Sequence, residues 1–448
     1  MKRILIAAAA ILAFQVAFAQ GGVKTPSAAK AAVEKADAAT AKAETAFAAN
    51  PKKVVKFTTY MAQGKAYKEA YQAAQGNGMI GMDKTQLALI LNEKPVSSEE
   101  VTINNEVYVK DVFKNHTYYY RQNVLTFIEV TKTVVDDPLQ KSVAAYVKAN
   151  EADTKGAKTK DIAAAIEEIG GIWWDDAVTA YTLGDYAKAG KAFLECADAK
   201  ANAPLSYVDS SAYFNAALMF YISGDKDEAF NLYKKCYDIG YYNEDGEVFA
   251  KLGSILIEQG KEKEGAEYLK EGFVVCPQSQ TILLNLINYY ISSGENTDEL
   301  FTLLDKAKAN DPSNASLYYV EGNTHAKLGQ KEEAVASYKK TIEVDPTYDY
   351  GYVGLGAFYY DQMIAIADEA NALDYSKWRE YDALMVKYFE AAEAAVDPFE
   401  TAYSQTQSEE LKYNVAQYLR DIYFRLRNKD EKYNAYYEKY NEIVKAGN

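Results

Sequence analysis

One short pattern returns at nearly constant intervals through the middle of the chain. Tight-turn pairs occur at Gly184-Asp185, Gly224-Asp225, Gly260-Lys261, Gly294-Glu295 and Gly329-Gln330, with glycine-to-glycine steps of 40, 36, 34 and 35 residues. Five residues after most of these glycines comes a small residue: Ala189, Ala229, Gly265 and Ala334. After Gly294 one residue is inserted and Leu300 takes the place. Four residues on stands a large one, Phe193, Tyr233, Leu269, Leu304 or Tyr338, and three further on Cys196, Cys236, Gly272, Ala307 or Thr341. Pro277, Pro312 and Pro346 close the last three units. A fixed period leaves little choice of architecture. Each unit must bury its apolar face on the next, so the array grows as a solenoid rather than as separate globular domains.

The offsets have a helical cause. Spacings of three, four and seven put these side chains on one face of a helix, where small residues admit a neighbouring helix and the large one fills the gap. Glycine ends the preceding helix because it takes positive φ without steric cost. Proline cannot continue a helix and separates the units. The upstream halves also match: Phe249, Leu252, Gly253 and Leu256 in one unit, Tyr318, Gly322 and His325 in another, Tyr352, Leu355, Gly356 and Tyr359 in the last. Each unit therefore reads helix, turn, helix, with Asp209, Asn243, Ser313 and Thr347 as expected N-caps.

This pattern resembles the tetratricopeptide repeat (TPR), whose period is 34 residues. The best unit, Ala315 to Tyr348, holds Tyr318, Gly322, Gly329, Ala334, Tyr338, Asp345 and Pro346 in register. It departs at Glu321 and Thr341, where the family has apolar residues. The resemblance implies an all-α fold, a right-handed superhelix of helix pairs. It also implies a partner-binding concave surface lined by the first helix of each repeat. Carried over position by position, that surface holds Asn215, Lys251, Ser254, Asn288, Tyr319 and Asn323. Asparagine there hydrogen-bonds a peptide backbone both as donor and as acceptor. Only Lys251 is basic, so the arrangement with which chaperone-binding members clamp a terminal carboxylate is not reproduced.

The ends depart from the repeat. Residues 1–19 read as a signal peptide: Lys2 and Arg3, an apolar run from Ile4 to Val16, and the small-residue site Ala17-Phe18-Ala19, leaving Gln20 as the expected first residue, with no cysteine there for a lipid. Residues 20–75 read as an N-terminal helical segment in which Val54 to Ala74 opens a first repeat. Its partner helix, Pro138 to Asp153, comes only after an insertion, residues 76–137, whose period changes. A short helix from Asp83 to Asn92 precedes four alternating runs: Val101–Ile103, Val107–Phe113, Thr117–Arg121 and Val124–Val130. Asn104-Asn105 and Gln122-Asn123 suit two-residue hairpin turns. The reading is a small antiparallel β insertion within the first repeat; alternation alone would expose one face of the run Tyr118-Tyr119-Tyr120, and that face is expected to pack against the adjacent solenoid before it serves as a ligand platform. Residues 138–348 form the solenoid proper. In 349–448, Asp349 to Val396 stretches into two long helices turning at Asp374-Tyr375-Ser376, and Ser408 to Ala446 makes a capping pair.

Composition narrows the function. The formal charge is -15 and becomes more acidic still once Lys2 and Arg3 are lost, which disfavours nucleic acid. Three cysteines, Cys196, Cys236 and Cys276, cannot all pair within one chain and are expected as core residues. There are two histidines, His116 and His325, the latter at a helix-packing position, and no metal, thiol-redox or nucleophile motif. Gly351, Gly354 and Gly356 fall within a repeat helix, where a phosphate loop does not form. The expectation is thus a non-enzymatic, cofactor-free, periplasmic scaffold or assembly factor. Its partners would be proteins or peptides of the envelope or secretion machinery, and no segment would span a membrane after signal cleavage. A component of an outer-membrane nutrient or carbohydrate uptake system is the alternative, and an enzyme comes third. The 39 tyrosines serve packing first and an aromatic peptide groove second.

Overall fold

The computed structural model describes residues 23–446 apart from 92, 244 and 294–297. The signal-peptide reading, with its cleavage before Gln20, and the turn at Gly294 lie outside the described residues. The chain divides into two units, Met1–Tyr241 and Tyr242–Asn448.

The first unit is built from α1 (Pro26–Ala49), α2 (Phe57–Gln75), α3 (Lys84–Ile90), strands β1 (Ser97–Ile103), β2 (Glu106–Val112), β3 (His116–Arg121) and β4 (Val124–Val130), then α4 (Pro138–Ala152), α5 (Thr159–Thr182), α6 (Tyr186–Ala201), α7 (Ser210–Ser223) and α8 (Lys226–Asp238). α2 packs on α4 across the insertion, as the sequence pattern requires, but α1 also packs on α2. The insertion therefore follows a first helix pair instead of lying within it. The sequence hides this pairing because α1 is alanine-rich and contributes little more than Ala29, Val33 and Thr40 to the interior.

The sheet is an antiparallel meander in the order β1-β2-β3-β4. Asn104, Asn105, Gln122 and Asn123 all have positive φ, the backbone that two-residue turns need to match strand twist. The helix before it is shorter than expected. Asp83 caps it by accepting from the amides of Thr85 (2.8 Å) and Gln86 (3.4 Å) instead of joining it. The face of the tyrosine run that alternation alone would expose is packed instead: Tyr118, Tyr119 and Tyr120 are all buried. α3 covers one face through Leu87, Tyr118, Tyr120, Leu125 and Ile128. Tyr119 packs on the other beside Phe127, where β4 meets α5. The sheet is also stitched to α2. The Tyr118 hydroxyl donates to the Gln75 carbonyl (3.0 Å) and His116 Nδ1 donates to that of Ala74 (2.9 Å), satisfying acceptors that the helix end leaves open.

The second unit contains α9 (Glu247–Glu258), α10 (Glu262–Val275), α11 (Gln280–Ser293), α12 (Asp298–Asn310), α13 (Ala315–Lys327), α14 (Lys331–Val344), α15 (Asp349–Asn371), a 3-10 turn at Tyr375–Lys377, α16 (Trp378–Gln405), α17 (Glu409–Leu426) and α18 (Tyr433–Ala446). First helices pack on one another in succession, α9 on α11, α11 on α13 and α13 on α15. Two caps differ from expectation by one residue: Asn314, not Ser313, caps α13, and Tyr348, not Thr347, precedes α15. Ahead of α9 the cap position is Gly246, and Asn243 Oδ1 accepts instead from the amide of Glu247 (2.9 Å). α16 runs past Val396 to Gln405 with Pro398 inside it. The helix survives that proline because Phe399 and Ala402, just beyond it, are fully buried in the cluster formed with α17.

The repeat columns behave as read. Phe193, Tyr233, Leu269, Leu304 and Tyr338 are buried, as are Ala189, Ala229 and Ala334. Gly184, Gly224, Gly260 and Gly329 all have positive φ. The three cysteines are buried free thiols. His325 stacks on Phe301 of α12 at 4.7 Å and donates from Nδ1 to Gln330 (2.6 Å).

Candidate functional site: the faces of the first helices

Five of the six sequence-derived residues lie in the second unit, on α9, α11 and α13. Ser254 donates to the Ala250 carbonyl one turn back and accepts from Asn285 Nδ2 of α11 (3.1 Å). Asn288 Oδ1 accepts from Lys327 Nζ of α13 (2.8 Å). Asn323 Oδ1 accepts from the Tyr338 hydroxyl (2.7 Å). The polar side chains thus join one helix to the next and leave part of each amide's hydrogen-bonding capacity unused. Burial pushes the Glu247 carboxyl pKa up, and Lys251, half-buried one turn on, offsets that shift only in part.

Tyr319 anchors an aromatic cluster. Its ring lies 6.1 Å from Tyr338, 6.2 Å from Tyr348 and 6.0 Å from Tyr350. Burial pushes the Tyr319 hydroxyl pKa up, opposed by the Asn323 amide beside it. Tyr348 also accepts from Gln280 Nε2 at the start of α11 (2.9 Å), which closes the wall between α11 and α15. Gly322 and Gly354 make the cluster possible. A Cβ on either would lie 2.7 Å from the Tyr338 ring. This is the role of the α15 glycines: each lets a ring or a helix approach.

Asn215 belongs to the first unit, on α7, half-buried. Nine residues before Gly184, as Asn215 is before Gly224, stands Asp175 on α5. The sequence reading passed over this residue because carboxylates are plentiful. Its neighbour Asp176 accepts from the Tyr71 hydroxyl of α2. Burial raises Asp176 to about 7, and Tyr71 and Lys188 pull it back only in part. Lys188 of α6 is already paired with Glu129 of β4 (3.1 Å).

Of a second column the sequence reading singled out Tyr319 alone. Ten residues before the turn glycine, Trp174, Phe214 and Tyr319 each meet the large residue of the following helix: Phe193 at 5.0 Å, Tyr233 at 5.9 Å and Tyr338 at 6.1 Å. The signal was present, an aromatic at a fixed offset from glycine in three units. Among the described residues no group of three or more His, Cys, Asp or Glu is placed to hold a metal ion. Among the described residues, likewise, no helix is long and apolar enough to cross a membrane.

A tetratricopeptide-repeat model matches residues 210–239, which hold α7 and α8, and a TPR-repeat model matches residues 322–362. The chain contains TPR repeats. Among solved structures it is similar to a TPR protein from Parabacteroides merdae (14% identity, 63% of this chain and 92% of that one, TM-score 0.33). It is also similar to the C-terminal part of a TPR repeat-containing protein from Cytophaga hutchinsonii (15% identity, 61% and 93%, TM-score 0.35). A third is YrrB, described as a TPR protein with an unusual peptide-binding site (19% identity, 47% and 96%, TM-score 0.27). No curated protein matches the chain.

Proposed function

We propose that this TPR protein is a non-catalytic interaction scaffold of the periplasm, exported by cleavage after Ala19, which holds an extended polypeptide against its first-helix faces. The observation that carries the reading is the wall of the second unit. Tyr319, Tyr348 and Tyr350 supply rigid amphipathic rings, while Asn288 and Asn323 supply amides already oriented by Lys327 and Tyr338. Preoriented amides lose little freedom on pairing with a peptide backbone, which favours binding over an equally polar but mobile surface. Partners in the envelope or secretion machinery follow from the export reading.

The test is affinity capture from envelope fractions, wild type against Asn215→Ala, Asn288→Ala and Tyr350→Ala combined. Asn323 is left intact, because its loss strands the buried Tyr338 hydroxyl and confounds binding with stability. The variant should keep its helical signal and lose its partners. Undiminished capture would place the binding surface elsewhere. Intact mass of the native protein, lacking residues 1–19 and carrying no lipid, checks the export reading separately.

A further inference from the structure

The two edges of the β insertion are treated differently. The outer edge of β4 is occupied: Gly81 donates to the Leu125 carbonyl (2.8 Å), Leu125 to that of Met82 (2.8 Å) and Lys84 to that of Asn123 (2.8 Å). Among the described residues β1 pairs with β2 alone, and its other side presents open backbone donors and acceptors along Ser97–Ile103, a strand exposed at nearly every position. An open edge is a template for another strand.

Next to that edge lies a cavity of about 510 Å³ lined by Ala88, Leu91, Pro95, Phe113 and Tyr120, with Lys84, Glu93, Lys94, Ser98 and Asp111 around them. Ser98 and Asp111 face each other across the ladder and both line the cavity, so it reaches β1 at Ser98. The floor is already neutral. Asp111 accepts from Lys84 (2.7 Å) and from Ser98 (2.5 Å), and the Lys84 ammonium sits 4.7 Å over the Tyr120 ring. What remains is room for a large apolar side chain. Val96, immediately before β1, is exposed by 78%.

Charge selects the occupant. Glu99 is paired with Lys110 of β2 (3.0 Å), whereas Glu100, on the same face of the sheet as Ser98, is exposed and has no such partner. A second copy of β1 paired antiparallel about its centre would set Glu100 opposite Glu100, and like charges directly opposed destabilise a ladder. We infer that the β1 edge is a docking site for an extended segment of another polypeptide. The segment adds as a fifth strand, with a basic residue opposite Glu100 and, two residues later in its antiparallel course, a large apolar residue opposite Ser98 that fills the cavity. Main-chain hydrogen bonds give this mode its affinity, and the alternate side chains give it its selectivity. The site is distinct from the first-helix faces and does not depend on them.

The probe is an eight-residue peptide, threonine-valine-threonine-lysine-valine-phenylalanine-threonine-valine, mixed with the full mature protein. Amide exchange should slow across residues 97–103, and binding should vanish when alternate peptide amides are N-methylated on the edge that faces β1. Glu100→Lys should weaken binding by about five- to tenfold, and a peptide with glutamate in place of lysine should restore it. A purely structural role for Glu100 would not produce that exchange of preference. Ser98→Trp, which fills the cavity, should weaken the phenylalanine peptide but not one with alanine in that place. Three results overturn the proposal: no binding, binding that leaves β1 unprotected, or β1 protection that grows with protein concentration alone and so identifies a second copy as the occupant.

Discussion

Replacing Gly322 with alanine sets two physical effects against each other with opposite signs. Gly322 lies in the interior of α13, where alanine is favoured over glycine by about 1 kcal/mol. Local propensity alone therefore says that the change stabilises. Packing says the reverse. The new Cβ would lie 2.7 Å from Tyr338 Cδ1, 2.8 Å from Cε1 and 3.1 Å from Cγ, three atoms of one ring edge. The ring has little freedom to retreat: it is buried, its hydroxyl is tied to Asn323 at 2.7 Å, and Tyr319 and Phe358 lie 6.1 and 6.2 Å away. Overpacking of a fixed site costs about 1–3 kcal/mol, and disturbing the hydrogen bond adds roughly 1 kcal/mol. Set against the propensity gain, the net is a loss of about 1–3 kcal/mol. Gly329→Ala is the control, because nothing lies within 4 Å of its Cβ and the cost comes from its φ of +73° alone. The assay is urea melting with amide exchange read across α13 and α14, since stability in repeat arrays is local. If Gly322→Ala melts later than wild type, the ring is not held where the structure places it, and the packing argument fails.

The remaining predictions are shorter. Ala334→Leu, at a fully buried helix contact, should cost on the order of 1–3 kcal/mol, whereas Ala336→Leu on the exposed side of α14 should cost little; equal losses in urea melts would contradict the register. Burial holds His116 down to about 4, below the 6.5 of the unfolded chain. Its contribution is therefore complete above pH 6.5 and is lost as pH falls towards 4, up to about 3 kcal/mol. Exchange of the strand amides should show that loss in wild type and not in His116→Gln. Asp176 works in the opposite sense. Its pKa is raised to about 7 from 3.8, so its contribution is complete below 3.8 and lost as pH rises through 7. Asp176→Asn, which still accepts from Tyr71, should be stabilised relative to wild type by on the order of 2 kcal/mol at pH 8 and by almost nothing at pH 4; a difference independent of pH would show that the carboxylate is not buried as described.

Legibility in the sequence followed the range of the interactions. Residues that act within one helix pair announce themselves at fixed offsets, which is why Ala334, Tyr338 and Gly329 could be placed from spacing. The β insertion was legible for the same reason: its alternation and its two turns are local. What escaped was set by neighbours distant in sequence. β3 is buried on both faces because α3 lies on one side and the sheet meets α5 on the other, and nothing in Tyr118-Tyr119-Tyr120 states that. α16 continues through Pro398 because α17 buries the residues beyond it. α1 escaped as a packing partner because alanines with a few polar residues look alike whether they face water or a helix.

The first-helix positions show a sharper version of this limit. Transferring positions by offset found side chains on the correct helices. It could not say that Asn288 already receives a hydrogen bond from Lys327 of α13, and Asn323 one from Tyr338 of α14. Those bonds change what the residues are for. Asn323 takes its bond from a buried hydroxyl, so truncating it perturbs stability and recognition together, whereas Asn288 takes its bond from an exposed lysine whose ammonium can return to water. Asp175 and Asp176 show the converse. In the sequence they are two carboxylates among 64 acidic residues. In the fold, Tyr71 of α2 and Lys188 of α6 converge on Asp176 and still leave it above its ordinary pKa. The acid worth noticing is the one whose surroundings fail to compensate it, and that failure is a property of three helices packed together, visible in none of them alone.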